Sequence, residues 1–396
     1  MMDKKRTRIL TLAILLLATT ASLPLHAQNK QPQWTFSAHT GMGYLINTFE
    51  AYDQMLESPY YPIAALRIGY QTTETDHPYA PLYGYPNVGF QLGWSGLSEL
   101  NYTGESHFSS IFAFCGFIER DFLRLKRFSF GYEVQTGIGF NKSVYNTDTN
   151  PLNMNMSSSL LFYVGGDLKM RYRFNKSLEM GLSFHLEHYS TGDLSCPNLG
   201  ISSEGAVLSL RYSSITPPPI DHNPQPKPEV KPFLSEVYFG GGLHKCHAEW
   251  AAFGSTRPWP ILVVGGGISY RYLPQISTGV HLDLNNADPM FVKRVEQVER
   301  VLYGDEAVDA YGHYSTFSCG ISLIQQFHYG NFSVYGHLGI YLYKHMGLHE
   351  QEGLLYQRAG IKYTFPQLAN VFVAVDCKAH HFNDAAMMEL TIGKRF

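Results

Sequence analysis

The sequence predicts an all-β protein, an antiparallel up-and-down β-barrel of the outer-membrane type, on three observations. Thirty-six glycines, 27 tyrosines and 25 phenylalanines stand beside a charged fraction of only 16%, which suits closely packed strands with aromatic girdles. Apolar and polar residues alternate through segments of about ten residues, as a wall with one oily and one polar face requires. After residue 27 no stretch approaches the roughly 18 apolar residues of a membrane helix, so the mature chain is either exported and soluble or crosses the membrane as strands. Two eight-stranded halves are the expected arrangement, because Tyr212 closes a strand just before a proline-rich segment. One barrel of about sixteen strands is the alternative.

Residues 1–27 read as a secretory signal peptide, with a basic start (Lys4, Lys5, Arg6, Arg8), an apolar run and Ala27 at a small-residue cleavage site. The net charge of −3 implies neither nucleic acid nor a polybasic membrane contact. Five cysteines, at 115, 196, 246, 319 and 377, form no CxxC and no regular spacing, which makes a disulfide framework improbable.

Residues 28–215 make the first half. In 128–140, Phe128, Phe130, Val134, Ile138 and Phe140 oppose Ser129, Glu133 and Gln135; in 160–174, Phe162, Val164, Leu168, Met170, Tyr172 and Phe174 oppose Asp167, Lys169, Arg171 and Arg173. Strands at Trp34–Phe49, Ile63–Thr72, Asn87–Leu97, His107–Ile118, 177–190 and Glu204–Ser213 complete about eight. Links after even strands are mostly tight and links after odd strands longer, which sets periplasmic turns against external loops. Residues 216–232 carry seven prolines and form a stiff linker, expected in the periplasm. Residues 233–396 read as a second set of about eight strands, closing on Leu390 to Phe396 with a terminal aromatic. Between its third and fourth strands Asp288 to Tyr303 is an amphipathic helix, with Phe291, Val295, Val298 and Leu302 on one stripe, either a lid on the barrel mouth or a folded loop.

The chemistry gathers at one strand end. From Leu178 to Ser190 the even positions are apolar until the last two, His188 and Ser190. A base and a nucleophile thus share the oily face, about 7 Å apart in an ideal strand; a bend or bulge at the strand end would bring them into contact. Ester hydrolysis also needs a group that orients the base and donors for the oxyanion. Glu204, on the apolar face of the next strand with Ala206 and Leu208, is the expected partner of His188, since a carboxylate there is costly unless paired. The backbone amides of Thr191 and Gly192 are the expected oxyanion donors.

His188-Tyr189-Ser190, followed by Gly192 and by Pro197-Asn198-Leu199-Gly200, resembles the PagL-type lipid A deacylases, also called acyloxyacyl hydrolases. Tyr83-Gly84-Tyr85-Pro86 and Asn150-Pro151-Leu152-Asn153 resemble the longer, two-part members. The resemblance implies an outer-membrane barrel whose His–Ser–Glu site faces the outer leaflet and removes the 3-linked acyl chain of lipid A. Lipopolysaccharide is then the partner, and no metal or organic cofactor is needed. Two positions depart from the family pattern: Thr191 stands where Asn is usual, and gapless spacing puts the acid's place on Ser202. A weakened or inactive barrel acting as scaffold, channel or surface-binding protein is therefore the alternative.

Other candidates have plainer explanations. His244, Cys246 and His247 match no defined metal spacing. Gly265-Gly266-Gly267 lies in a strand without the helix a phosphate loop needs. His381 mirrors His188 in the second half, but Asn383 follows where a hydroxyl would be required.

Overall fold

The computed structural model describes residues 33–46, 56–74, 76–102, 106–192, 194–224, 227–254, 258–349, 353–380 and 384–396. Residues 1–27, His381 and Asn383 lie outside the described residues. Sixteen long strands close into two antiparallel barrels of eight. The first comprises β1 (Trp34–Ile46), β3 (Tyr60–Gln71), β4 (Asn87–Ser95), β6 (Ile111–Arg124), β7 (Phe128–Phe140), β8 (Leu160–Arg173), β9 (Leu178–Ser190) and β10 (Ile201–Ser213), with β10 sealing against β1. Two short strands, β2 (Leu56–Ser58) and β5 (Asn101–Tyr102), pair above it. The second barrel comprises β11 (Phe233–Lys245), β12 (Pro258–Leu273), β13 (Ile276–Ala287), β14 (Phe317–Tyr329), β15 (Phe332–Lys344), β16 (Leu355–Phe365), β17 (Val371–His380) and β18 (Asp384–Arg395), closed by β18 on β11.

Alternation decides which way each strand faces. Leu66, Val134, Leu168 and Leu182 lie outward and exposed, while Arg67, Glu133, Lys169 and Ser183 are buried in the bore. That inverts a soluble fold and calls for an apolar solvent around the wall. Charges inside must then pair, because each sits away from water. Glu119 takes Lys169, Arg171 and Arg211; Glu133 takes Arg67 and Lys169; Glu179 takes Arg173 and Arg211. A void of about 20 Å³ beside Glu187 and Tyr163 has room for little more than one water.

The second bore is closed differently. Asp283, Arg358 and Glu389 form one charged chain, and Lys362 and Arg395 share Glu236. Helix α1 (His247–Phe253), helix α2 (Pro289–Tyr303) and helix α3 (Asp305–Tyr311) follow at the long-loop rim. Asp288 caps α2 by accepting from Met290 N–H. Phe291, Val295 and Val298 are buried in one apolar cluster with Trp259, Ile324 and Phe372 of the strands, so α2 plugs the mouth.

The barrels lie side by side and touch at both ends. At the short-turn end the link after β3 is long: Tyr83 OH donates to His328 O at 2.9 Å, Arg271 donates to Tyr79 OH at 2.7 Å, and His77 stacks on Tyr329. The proline-rich linker stays close beneath the first barrel, where Arg124 donates to Pro218 O at 2.6 Å. At the long-loop rim Tyr145 meets Trp250 of α1 edge to face, ring centres 6.0 Å apart.

Candidate active site

His188 and Ser190 end β9 at the long-loop rim, on the face that points away from the bore. Their neighbours in sequence face inward and are locked. Glu187 accepts from Tyr61 OH at 2.8 Å, Ser95 at 3.0 Å and Tyr189 OH at 3.1 Å. The strand end is therefore held from inside while its outer face stays open.

The ladder runs through this end without a bulge, pairing Tyr189 with Ile201, His188 with Ser202 and Leu186 with Glu204. β10 thus starts at Ile201, three residues before the start expected at Glu204. The neighbour this register gives His188 differs from the one expected. The partner of His188 Nδ1 is Ser202 Oγ, at 2.9 Å. Glu204 is exposed one pleat further down, between Leu186 and Tyr44. Two residues along a strand is about 7 Å, so a regular register separates the carboxylate from the ring.

The imidazole is placed by a glycine. Gly200 has φ +69°, and a Cβ there would stand 2.8 Å from His188 Cε1 and 3.3 Å from Nε2. The ring edge therefore lies over Gly200, one step beyond the last ladder pair and level with Ser190. Nδ1 is held at the level of Ser202 while Nε2 leans towards the nucleophile's level. Gly200 is itself fixed by the loop between β7 and β8: its N–H donates to Asn155 O, and Asn155 Nδ2 donates back to Gly200 O at 2.6 Å.

Ser190 Oγ accepts from Gly192 N–H at 3.2 Å. Among the described residues no hydrogen bond joins it to His188, so the contact expected from a bent strand end is absent. Catalytic hydrogen bonds in unliganded enzymes are often long and tighten with substrate. Both amides expected to serve the oxyanion have partners in this structure. Thr191 N–H donates to Asn198 Oδ1 at 2.9 Å, and Gly192 N–H is turned to Ser190. With its oxygen tied to Thr191, Asn198 has its side-chain N–H groups left for another acceptor. Spacing alone did not single out Asn198 as a neighbour of this strand end, although it lies in the Pro197-Asn198-Leu199-Gly200 run.

Two family models match the chain: lipid A 3-O-deacylase (PagL) over residues 64–211, and the C-terminal domain of acyloxyacyl hydrolase over residues 236–396. No curated protein sequence matches it. Among solved structures, the outer membrane enzyme PagL is 15% identical, with 44% of this chain and 97% of that one covered and a TM-score of 0.29. Neisserial surface protein A is 8% identical, covering 45% and 96%, with a TM-score of 0.31. OccK8 (OprE) of Pseudomonas aeruginosa is 10% identical, covering 92% and 98%, with a TM-score of 0.24. These likenesses are remote, and the assignment rests on the two family models, which between them span both barrels. The chain is a member of the PagL-type lipid A deacylase, or acyloxyacyl hydrolase, family.

Proposed function

We propose that this protein is an outer-membrane esterase that removes the 3-linked acyl chain of lipid A. The observation that carries the reading is the outward placement of His188 and Ser190 at the long-loop rim, which on the usual asymmetry of such barrels faces the cell exterior. An acyl chain anchored in the outer leaflet reaches this face sideways, without a pocket opening to water. His188 Nε2 takes the proton of Ser190, whose Oγ attacks the ester carbonyl. The ring then returns the proton to the departing 3-hydroxyl oxygen, and water releases the acyl group from Ser190 by the same route. Asn198 Nδ2 and the Gly192 amide, once released from Ser190, supply donors for the oxyanion.

Ser202 orients the ring in this scheme. In the Nδ1–H tautomer the Ser202 hydroxyl accepts from the ring, 2.9 Å away, which leaves Nε2 free as the base. A carboxylate enforces that tautomer, because it only accepts; a hydroxyl serves either tautomer, so it directs the ring less strongly. That substitution is also what favours the second reading, a non-catalytic barrel acting as scaffold or surface-binding protein. Its channel version fits poorly with bores filled by paired charges and an apolar plug.

Mass spectrometry of lipid A from cells making the wild type or Ser190→Ala tests the proposal. Loss of the 3-linked chain with the wild type, and its full retention with the variant, is expected. Identical acylation in both leaves the scaffold reading.

A further inference from the structure

The nucleophile's loop touches the other barrel. Gly192, two residues after Ser190, has φ +62°, and a Cβ there would lie 2.5 Å from the Phe162 ring and 3.1 Å from Met388 Cγ. Phe162 is the β8 residue opposite Ser190 in the ladder. Met388 belongs to β18, near the rim of the second barrel. Since Ser190 Oγ is 3.2 Å from Gly192 N, standard backbone dimensions put Met388 Cγ within about 9 Å of it.

The two outward faces change character below this contact. Phe162 and Met388 are half-buried. Further from the rim, Val164, Leu186 and Leu390 are 54%, 45% and 56% exposed. The seam is closed at the level of the nucleophile and oily and open beneath it. An acyl chain whose ester lies at Ser190 runs from the rim towards the bilayer centre, and so down these faces.

We infer that the substrate's acyl chain is held in the cleft between the barrels, and that Met388 of the second barrel determines which chains pass the nucleophile. The inference rests on the deacylase reading and gives the second barrel a part in it: Met388 is a wall of the acyl site on the side away from His188. Methionine suits the place, because its unbranched thioether adapts to a flexible chain.

Two measurements on the full-length protein in detergent test it. The first follows release from a mixture of lipid A species with short, medium and long 3-linked chains. Met388→Trp is expected to lower release of the longest chain relative to the shortest by about ten-fold or more, the scale on which an apolar pocket discriminates methylenes. Met388→Ala is expected to shift the preference towards longer chains. Unchanged ratios in both folded variants, checked by heat-shifted gel migration, overturn the inference while leaving the deacylase reading intact. The second uses lipid A with a photoreactive 3-linked chain on Ser190→Ala, so that no turnover is needed. Adducts on peptides containing Met388 are expected, and adducts confined to the first barrel overturn the inference whether or not the chain is ever cleaved.

Discussion

The two barrels solve the same problem, a narrow bore that must be filled, by different means. In the first, ionic groups are shared in a continuous network, and Glu119 alone serves Lys169, Arg171 and Arg211. In the second, the network is broken: among the described residues Lys378 Nζ and both ring nitrogens of His281 have no hydrogen-bond partner, and Lys378 rests over Tyr341 and Tyr356 instead. An apolar plug built on α2 closes that bore from the rim. On the proposed function the difference follows the chemistry outside. The barrel that carries His188 and Ser190 anchors the intervening residues, Glu187 and Tyr189, on several strands at once, which holds a site on an exposed strand end in one geometry. On the same reading the second barrel needs no such anchor and tolerates a looser polar interior.

The largest test of that contrast is in the bores. Glu119→Gln removes the carboxylate that Lys169, Arg171 and Arg211 share, leaves one buried positive charge uncompensated, and is expected to lower stability by about 3–5 kcal/mol, the cost of breaking a buried ion pair by removing one partner. Lys378→Met keeps the shape of a side chain already without a hydrogen bond, and is expected to change stability by no more than about 1 kcal/mol. Urea titrations read by heat-shifted gel migration measure both. Equal costs in the two barrels would remove the distinction drawn between them.

Much of the wall was legible because a period of two is a local property. Val134, Leu168 and Leu182 lie outward and Glu133, Lys169 and Ser183 inward, as alternation alone requires. The strand ends were not legible to the same degree. β6 starts at Ile111 and runs on to Arg124, against an expected His107–Ile118, because rim pairing depends on the partner strand and not on local composition. The same limit applies to the neighbour of His188. His188 and Ser190 share one strand, so spacing puts them on one face; the partner of His188 lies across a ladder, where the register decides between Ser202 and Glu204. The Thr191 amide could not be assigned from spacing either, since its bond to Asn198 is made by the fold of loop 191–200. Contact between the barrels involves loop and turn residues whose local sequence shows nothing of what they touch.

A smaller effect sharpens the comparison at the site itself. Ser202→Ala removes a neutral hydrogen bond to the ring and is expected to slow deacylation about two- to ten-fold, the range of a net 0.5–1.5 kcal/mol. Ser202→Glu places an acceptor-only group at that ladder position and is expected to raise the rate above wild type. Initial rates on purified lipid A decide. A wild-type rate for Ser202→Ala, with no gain for Ser202→Glu, means that this bond does not orient the base.

The smallest effect asks whether the second barrel steadies the first. Tyr145 and Asn155 belong to the same loop, and Asn155 holds the glycine under the His188 ring. Tyr145 in turn leans on Trp250 of α1. Aromatic pairs contribute about 0.5–1.5 kcal/mol beyond their burial, and this one acts on the ring only through the loop. Tyr145→Ala is therefore expected to slow deacylation by about two-fold, at the low end of that range, and Trp250→Ala by the same factor. Because both changes delete one contact, the double variant should be no slower than either single one. Losses that multiply would mean the two residues act separately, and that the rim contact between the barrels does not reach the base.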